Sequence, residues 1–246
     1  MTESQDIYVT GGAPEKGSVL IACAMLEDEV GAVLRSQGGD IRVDWVDRGF
    51  HEHPDRLRCE LQRRIDDAEA RGATSVLLAF GLCGNGAVGL STVRAVLAMP
   101  RFDDCVNMML CTGPRAKRGY GRAGTMYLTG GWTRDDCGVV GQRERIARQH
   151  GARKADRVMR MMYESYTEVS VIDDGCFALA PVMAYGRECA ALLGLALRTQ
   201  RGSIGVLEKL ITGRWDEDII VLPPGVAVKQ EDFEYPVRKG REMRTC

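Results

Sequence analysis

The chain carries almost no net charge: 33 basic side chains against 34 acidic ones leave −1 at neutral pH. A nucleic-acid surface wants a basic excess gathered on one face, and none is present. The basic stretches at 58–64 and 143–157 have acids interleaved at helical spacing, the pattern of a solvated helix face. Long apolar runs are missing as well. The longest, at 189–197, is about half of the roughly 20 residues that a membrane helix needs, so neither nucleic acid nor membrane is expected as a partner. Residues 1–17 are polar and lack the basic-then-apolar order of a secretory leader, which points to the cytoplasm. Finally, no two cysteines stand in Cys-x-x-Cys spacing, so the local signature of a structural zinc knuckle is absent.

Cysteine itself is plentiful. Nine thiols, an odd number, in a chain without export signals suit ligands or nucleophiles better than a disulfide framework. With 246 residues, 45% of them apolar, the chain can bury one large α/β core or two small ones.

The apolar pattern predicts strands at 19–23, 41–46, 75–80, 106–110, 125–129, 169–172 and 219–222. Helices are expected at 26–34, from Pro54 to about residue 71, at 89–98, over 135–165, at 182–197 and at 203–211. Alternating strands and helices imply an α/β fold: a mainly parallel sheet with helices on both faces. Residues 1–17 read as a flexible leader, 18–225 as the α/β domain, and 226–246 as an extended tail. The glycine-rich basic loop at 112–124 is the place for a seam between two lobes.

Ligands of parallel α/β sheets bind beyond the carboxyl ends of the strands. Cys23 ends the first strand, His51 follows the second by a short loop, and Cys83 lies just past the third. Asp104 and Cys105 come immediately before the strand expected at 106–110. Cys23, His51, Cys83 and Cys105 thus form a possible set of soft ligands for zinc, iron or a metal-bearing cofactor. Cys23, Cys105, Cys111 and Cys189 also belong to a residue type that commonly fills cores, and both readings stand. His51 could equally be a capping residue, or an acid or base. Glu29 could face the site as an acid or base, although acids in a first helical turn are favoured by the helix dipole alone.

Gly84-Asn85-Gly86-Ala87-Val88-Gly89 matches a dinucleotide-binding spacing, but no acid follows to hold a ribose. What survives is a glycine loop, Gly84, Asn85 and Gly86, whose free N–H groups could cradle part of a cofactor. Arg101 could contact an anion or pair with Asp103 or Asp104, and Trp132 could wall a pocket or sit in the core.

Several of these segments together resemble a prokaryotic family, domain of unknown function 1638. The matching stretches are Ala22-Cys23 with Glu29, Gly49-Phe50-His51 with Pro54, and Gly81-Leu82-Cys83-Gly84-Asn85-Gly86. They continue through Pro100-Arg101, Asp104-Cys105, Gly124-Thr125, Gly130-Gly131-Trp132, Ile172-Asp173 and Gly213-Arg214-Trp215. The chain departs from the family pattern at Asp103, where a histidine is expected; if that histidine is a ligand elsewhere, a carboxylate replaces it here. The resemblance implies a link to corrinoid-dependent methyl transfer and one-carbon metabolism, with a corrinoid as cofactor and a methyltransferase or corrinoid protein as partner.

Three functions follow as expectations. The first is a protein that binds a metal or metal cofactor through Cys23, His51, Cys83 and Cys105, with Cys83, His51 and Glu29 as acting groups. The second is a cofactor-independent racemase or isomerase with Cys83 and Cys176 as facing thiols. The third is a non-catalytic scaffold whose cysteines are core residues.

Overall fold

The computed structural model describes residues 17–37, 41–112, 121–134 and 138–234. Most of the basic loop, all but the first residues of the tail, and Cys137 lie outside them. The described chain forms two sheets. The first has five strands, β1 (Ser18–Cys23), β2 (Arg42–Val46), β3 (Ser75–Ala79), β4 (Val96–Pro100) and β8 (Ile219–Leu222), in the order β2-β1-β3-β4-β8. All pairings are parallel except β4 with β8. The second sheet has three parallel strands in sequence order, β5 (Thr125–Leu128), β6 (Glu168–Asp173) and β7 (Ala196–Arg201). No described helix is long and apolar enough to cross a membrane.

Local chemistry explains the elements. In β1, Leu20, Ile21 and Ala22 are fully buried, as a central parallel strand covered on both faces requires. Helix α1 (Glu27–Gln37) opens on Glu27, Asp28 and Glu29, three acids at the positive end of its dipole. Helix α2 (Pro54–Ala70) begins with proline at its first turn and buries Leu57, Leu61 and Ile65 at spacings of four. The chain moves outward from β1 to β2 and then back past β1 to β3. Right-handed crossovers therefore put α1 and α2 on opposite faces.

In the second sheet every step runs the same way, so α4 (Val139–His150), α5 (Ala152–Met162) and α6 (Leu179–Leu193) share one face. Met126, Leu128, Val169 and Val171 form a core with them. The alternate residues, Tyr127 and Ile172, point the other way and join the core of the first sheet. The small lobe is thus docked by its bare face onto the large one.

Two expected elements change type. Residues 89–98 are not a helix, and 106–110 are not a strand. Glu69 reaches across to accept N–H bonds from Val93, Arg94 and Ala95, which fixes that stretch as a turn. Val96–Pro100 then pairs with β3. Asp104 accepts the Asn107 N–H at 2.7 Å and caps a short helix, α3 (Cys105–Met109). Short apolar runs fit either structure, and here the cap decides.

Helix α6 ends at Leu193 because Gly194 adopts a left-handed conformation (φ 73°), which frees 196–201 to become β7. The stretch after residue 225 is not a loose tail throughout: Val228 and Phe233 are buried. Arg101 fastens it, donating to the carbonyls of Glu217, Asp232 and Glu234. Helix α7 (Gly205–Thr212) packs beside α1 and on β3, β4 and β8, closing the first lobe.

The lobes meet through their carboxyl ends. The turn Ala24–Leu26, after β1, abuts the turn Gly130–Thr133, after β5. A Cβ at Gly131 would overlap the Met25 carbonyl oxygen, and one at Gly130 would strike Asp28 and Phe177. Arg48 Nη1 donates to the Gly131 carbonyl at 3.1 Å. Arg134 pairs with Glu27 and Asp28, and Trp132 packs on both cores. Gly131→Ala should therefore cost about 1–3 kcal/mol by forcing the turns apart. Urea unfolding would read it, and an unmoved midpoint would show that the turns are not in close contact.

Candidate functional site

The carboxyl ends of β1 to β4 all deliver side chains to the same edge of the first sheet. Cys23 is the last residue of β1, and His51 lies in the turn Arg48–Glu52 that follows β2. Cys83 sits in the loop after β3. Asp104 and Cys105 follow β4, at the start of α3, and so belong to this edge instead of the opposite one. The corrected secondary structure is what brings Cys105 to the others.

The loop holding Cys83 is tied down at several points. Leu82 N–H and Cys83 N–H donate to the carbonyls of Phe102 and Asp103, both at 2.8 Å. A Cβ at Gly81 would come within 2.6 Å of the Phe102 carbonyl oxygen, so only glycine lets the two segments lie this close. Cys83, Gly84 and Asn85 are then three successive left-handed residues, with φ of 47°, 63° and 71°. For cysteine this conformation is strained, and the bonds on either side hold it. No helix follows the loop, so the helix-start part of the dinucleotide reading falls away.

Cys23 Sγ stands 3.1 Å from His51 Nε2. A thiol proton donated to Nε2 requires the imidazole proton on Nδ1. The ring stacks on Phe80, with centroids 6.1 Å apart. Burial lowers the His51 pKa, opposed by the Asp104 carboxylate, so at neutral pH the ring is uncharged and able to ligate.

Burial pushes the thiols the other way. Cys23 rises to about 11 and Cys83 to about 12, while Cys105 lies well above its ordinary value. Cys83 and Cys105 are raised further by Cys23 and Asp104, and Cys105 also by Cys83. The three thiols and the imidazole therefore share one electrostatic neighbourhood. Among the described residues, no three Cys, His, Asp or Glu side chains already stand in ligating geometry.

The junction adds two carboxyl groups, Glu29 from the first lobe and Asp174 from the second. Glu29 on α1 is fully buried, and neither of its oxygens has a donor facing it. Its neighbour is the carboxylate of Asp174, just beyond β6. Burial, then repulsion from Asp174, raises Glu29 to about 8, so a proton lies between the two acids at neutral pH. Cys176 is raised to about 12 by burial, then by Asp174 and Glu29.

Of the residues singled out in the sequence, Cys23, His51, Cys83, Cys105 and Glu29 gather here. Trp132 sits at the lobe junction. Arg101 is spent on main-chain carbonyls, and its expected anion contact gains no support. Gly84 and Asn85 are exposed in the Cys83 loop, and Gly86 is packed against Leu57. Asp174 and Arg48 were not singled out. The Asp173-Asp174-Gly175 turn at a strand end was the available signal for the first, and adjacency to His51 for the second.

The Glu29 proton makes folding pH-dependent. The folded chain keeps it between about 4.5 and 8, where a solvated glutamate has lost it, so stability falls as pH rises through that interval. Glu29→Gln mimics the protonated form. It should leave stability unchanged near about pH 5 and raise it on the order of 2 kcal/mol near about pH 9. Denaturant midpoints at the two pH values would show this; parallel shifts in variant and parent would mean that Glu29 holds no proton.

Comparison with curated proteins and with solved structures gives no match. The family model described as Protein of unknown function (DUF1638) matches residues 45–211. That span covers His51, Cys83, Cys105 and Asp174 and begins after Cys23 and Glu29. The chain therefore belongs to the DUF1638 family, as its Gly-Leu-Cys-Gly-Asn-Gly loop and the segments around it indicate.

Proposed function

We propose that Cys23, His51, Cys83 and Cys105 bind a soft transition metal, zinc or iron, at the carboxyl edge of the first sheet. The observation that carries this is the 3.1 Å pairing of Cys23 Sγ with His51 Nε2, in the electrostatic neighbourhood of two further, half-buried thiols. The donor set fits such an ion. Each thiol is held protonated by burial, which outweighs the opposing pull of the Arg48 guanidinium on Cys23, and a metal would take the place of those protons. His51 is already neutral.

Such a metal would supply the positive charge that makes Cys83 a thiolate nucleophile near neutral pH. The chain's own groups would do the rest. The strained loop fixes Cys83, Phe80 orients His51, and Glu29 holds a proton at the far wall of the junction. Corrinoid-dependent methyl transfer comes to this chain through the family resemblance; a metal-held thiolate is a methyl acceptor suited to that chemistry.

The two-cysteine isomerase reading has one observation in its favour: Cys83 and Cys176 each follow the middle strand of one of two sheets that face each other. Against it, both thiols rise to about 12, and the carboxylate beside Cys176, that of Asp174, raises the thiol further instead of drawing its proton away. Metal-independent exchange of a substrate α-proton with solvent would support it.

Metal analysis and the absorption spectrum of untagged protein, together with cobalt substitution, test the main reading. Near-stoichiometric metal and thiolate-to-cobalt charge-transfer bands are expected, with Cys83→Ser losing most of both. An unchanged metal content in that variant removes the proposal, and a metal-free parent prepared without chelator favours the isomerase or scaffold. Because binding displaces thiol protons, affinity should weaken as pH falls, by about tenfold per pH unit for each proton released.

A further inference from the structure

The second sheet ends on an open strand. Among the described residues β7 pairs with β6 alone, in an unbroken ladder from Ala196 to Arg201. Ala196, Arg198, Thr199 and Arg201 are exposed, and no residue of the strand is buried. The Ala196 N–H donates to the Thr167 carbonyl at 3.2 Å, and the Gly202 N–H to the Asp173 carbonyl at 2.7 Å. Main-chain groups alternate in direction along a strand, so those of Arg198 and Gln200 face β6 as well. The N–H and C=O groups of Leu197, Thr199 and Arg201 therefore point off the sheet. No proline, lysine or bulge blunts this edge.

One flank of α6 runs along the same edge. Thr199 Oγ1 lies 3.3 Å from Met183 Sδ, and Leu197 packs beneath Gly186. Ala180 stands three residues before Met183, and Arg187 and Ala191 four and eight after it, the spacing of one helix face. All three are exposed. Tyr185, on the opposite flank, meets the start of α4 at Gly138. The flank beyond β7 is thus uncovered, and its alanines let another helix come close.

We propose that a second copy of the chain occupies this edge, its β7 antiparallel to the first, so that two three-stranded sheets become one continuous sheet. A two-fold axis through Thr199 sets Thr199 against its equivalent, Leu197 against Arg201, and Arg198 against Gln200. Outward main-chain groups then meet outward ones, and the two Thr199 residues exchange a pair of hydrogen bonds. The charges are complementary in this register. Arg198, already paired with Glu168, faces the Gln200 amide oxygen, and the Arg201 stem covers Leu197, so no two arginines oppose each other. A slip of two residues one way puts Arg198 against itself, and the other way shortens the ladder. The α6 helices lie side by side on one face, and their flanks add the area that takes the contact toward the roughly 1,200 Å2 of a stable interface. Such an interface is self-complementary and closes at two copies. None of these residues belongs to the proposed metal set, so the outcome is independent of that reading.

Sedimentation equilibrium of the untagged full chain, from about 1 to about 200 µM, tests this; a dimer with a Kd on the order of 10 µM or tighter is expected. Thr199→Pro removes an N–H that the β6–β7 ladder does not use, so it should leave the fold intact and weaken dimerisation at least about tenfold. Circular dichroism checks the fold; if that variant is unfolded, Ala180→Arg on the α6 flank decides, with the same loss expected. Amide exchange followed by NMR reads the register. The Leu197, Thr199 and Arg201 amides should exchange more slowly as concentration rises, while those of Arg198 and Gln200 are slow throughout. A monomer across the whole range overturns the proposal, even if some other chain is found to pair with this edge. So does a dimer that the folded variants leave intact, or exchange at Leu197, Thr199 and Arg201 that ignores concentration.

Discussion

Two turns, Ala24–Leu26 and Gly130–Thr133, press backbone against backbone where the sheets meet, and most of what is distinctive in the molecule depends on that contact. It exists because two adjacent glycines present no side chain to Met25 and Asp28. Arg48 then bridges from the turn that carries His51 to the Gly131 carbonyl. The imidazole, the end of β1 and the second lobe are thus fixed relative to one another by main-chain geometry, without relying on flexible surface contacts. Separating the turns would also move Glu29 away from Asp174 and leave a carboxyl group buried without its partner, a second cost added to the first.

The junction divides into two chemical halves. On the side of the first sheet are polarisable thiols and a neutral imidazole, with Arg48 as the nearby positive charge that acts on Cys23. Toward the second lie two carboxyl groups, Glu29 and Asp174, with a proton on Glu29 at neutral pH. Neither half neutralises the other, because thiols and carboxylates are both anionic when ionised and each raises its neighbours. The surplus of potential negative charge is held off by protons. That is why a cation on the thiol side is the natural complement.

Much of this was legible beforehand. Strand β1 announces itself through an unbroken apolar run, α2 through Pro54 and its four-residue stripe, and the chemical edge through cysteine and histidine at strand ends. Where the reading failed, the deciding contact was distant in sequence. Nothing local tells that Glu69 will hold the N–H groups of Val93, Arg94 and Ala95 and so prevent a helix there. Asp104 is of a residue type that caps helices, but a five-residue helix among apolar residues looks like a buried strand. The Glu29–Asp174 pair could not be read at all, since its members belong to different sheets. Gly194, by contrast, was a local signal for the end of α6 that the length of the apolar run obscured.

The order of elements carries a further consequence, for synthesis of the chain. The second sheet is continuous in sequence, from β5 to β7, while the first is interrupted by it and completed only by α7 and β8. As the polypeptide leaves the ribosome, the inner lobe can therefore close before the outer one. Until then β4 lacks its antiparallel neighbour, and the apolar surface that α7 will cover stays open. The nascent chain passes through a stage in which its later half is finished and its earlier half is not, and the thiol edge is set firmly only when the final strand arrives.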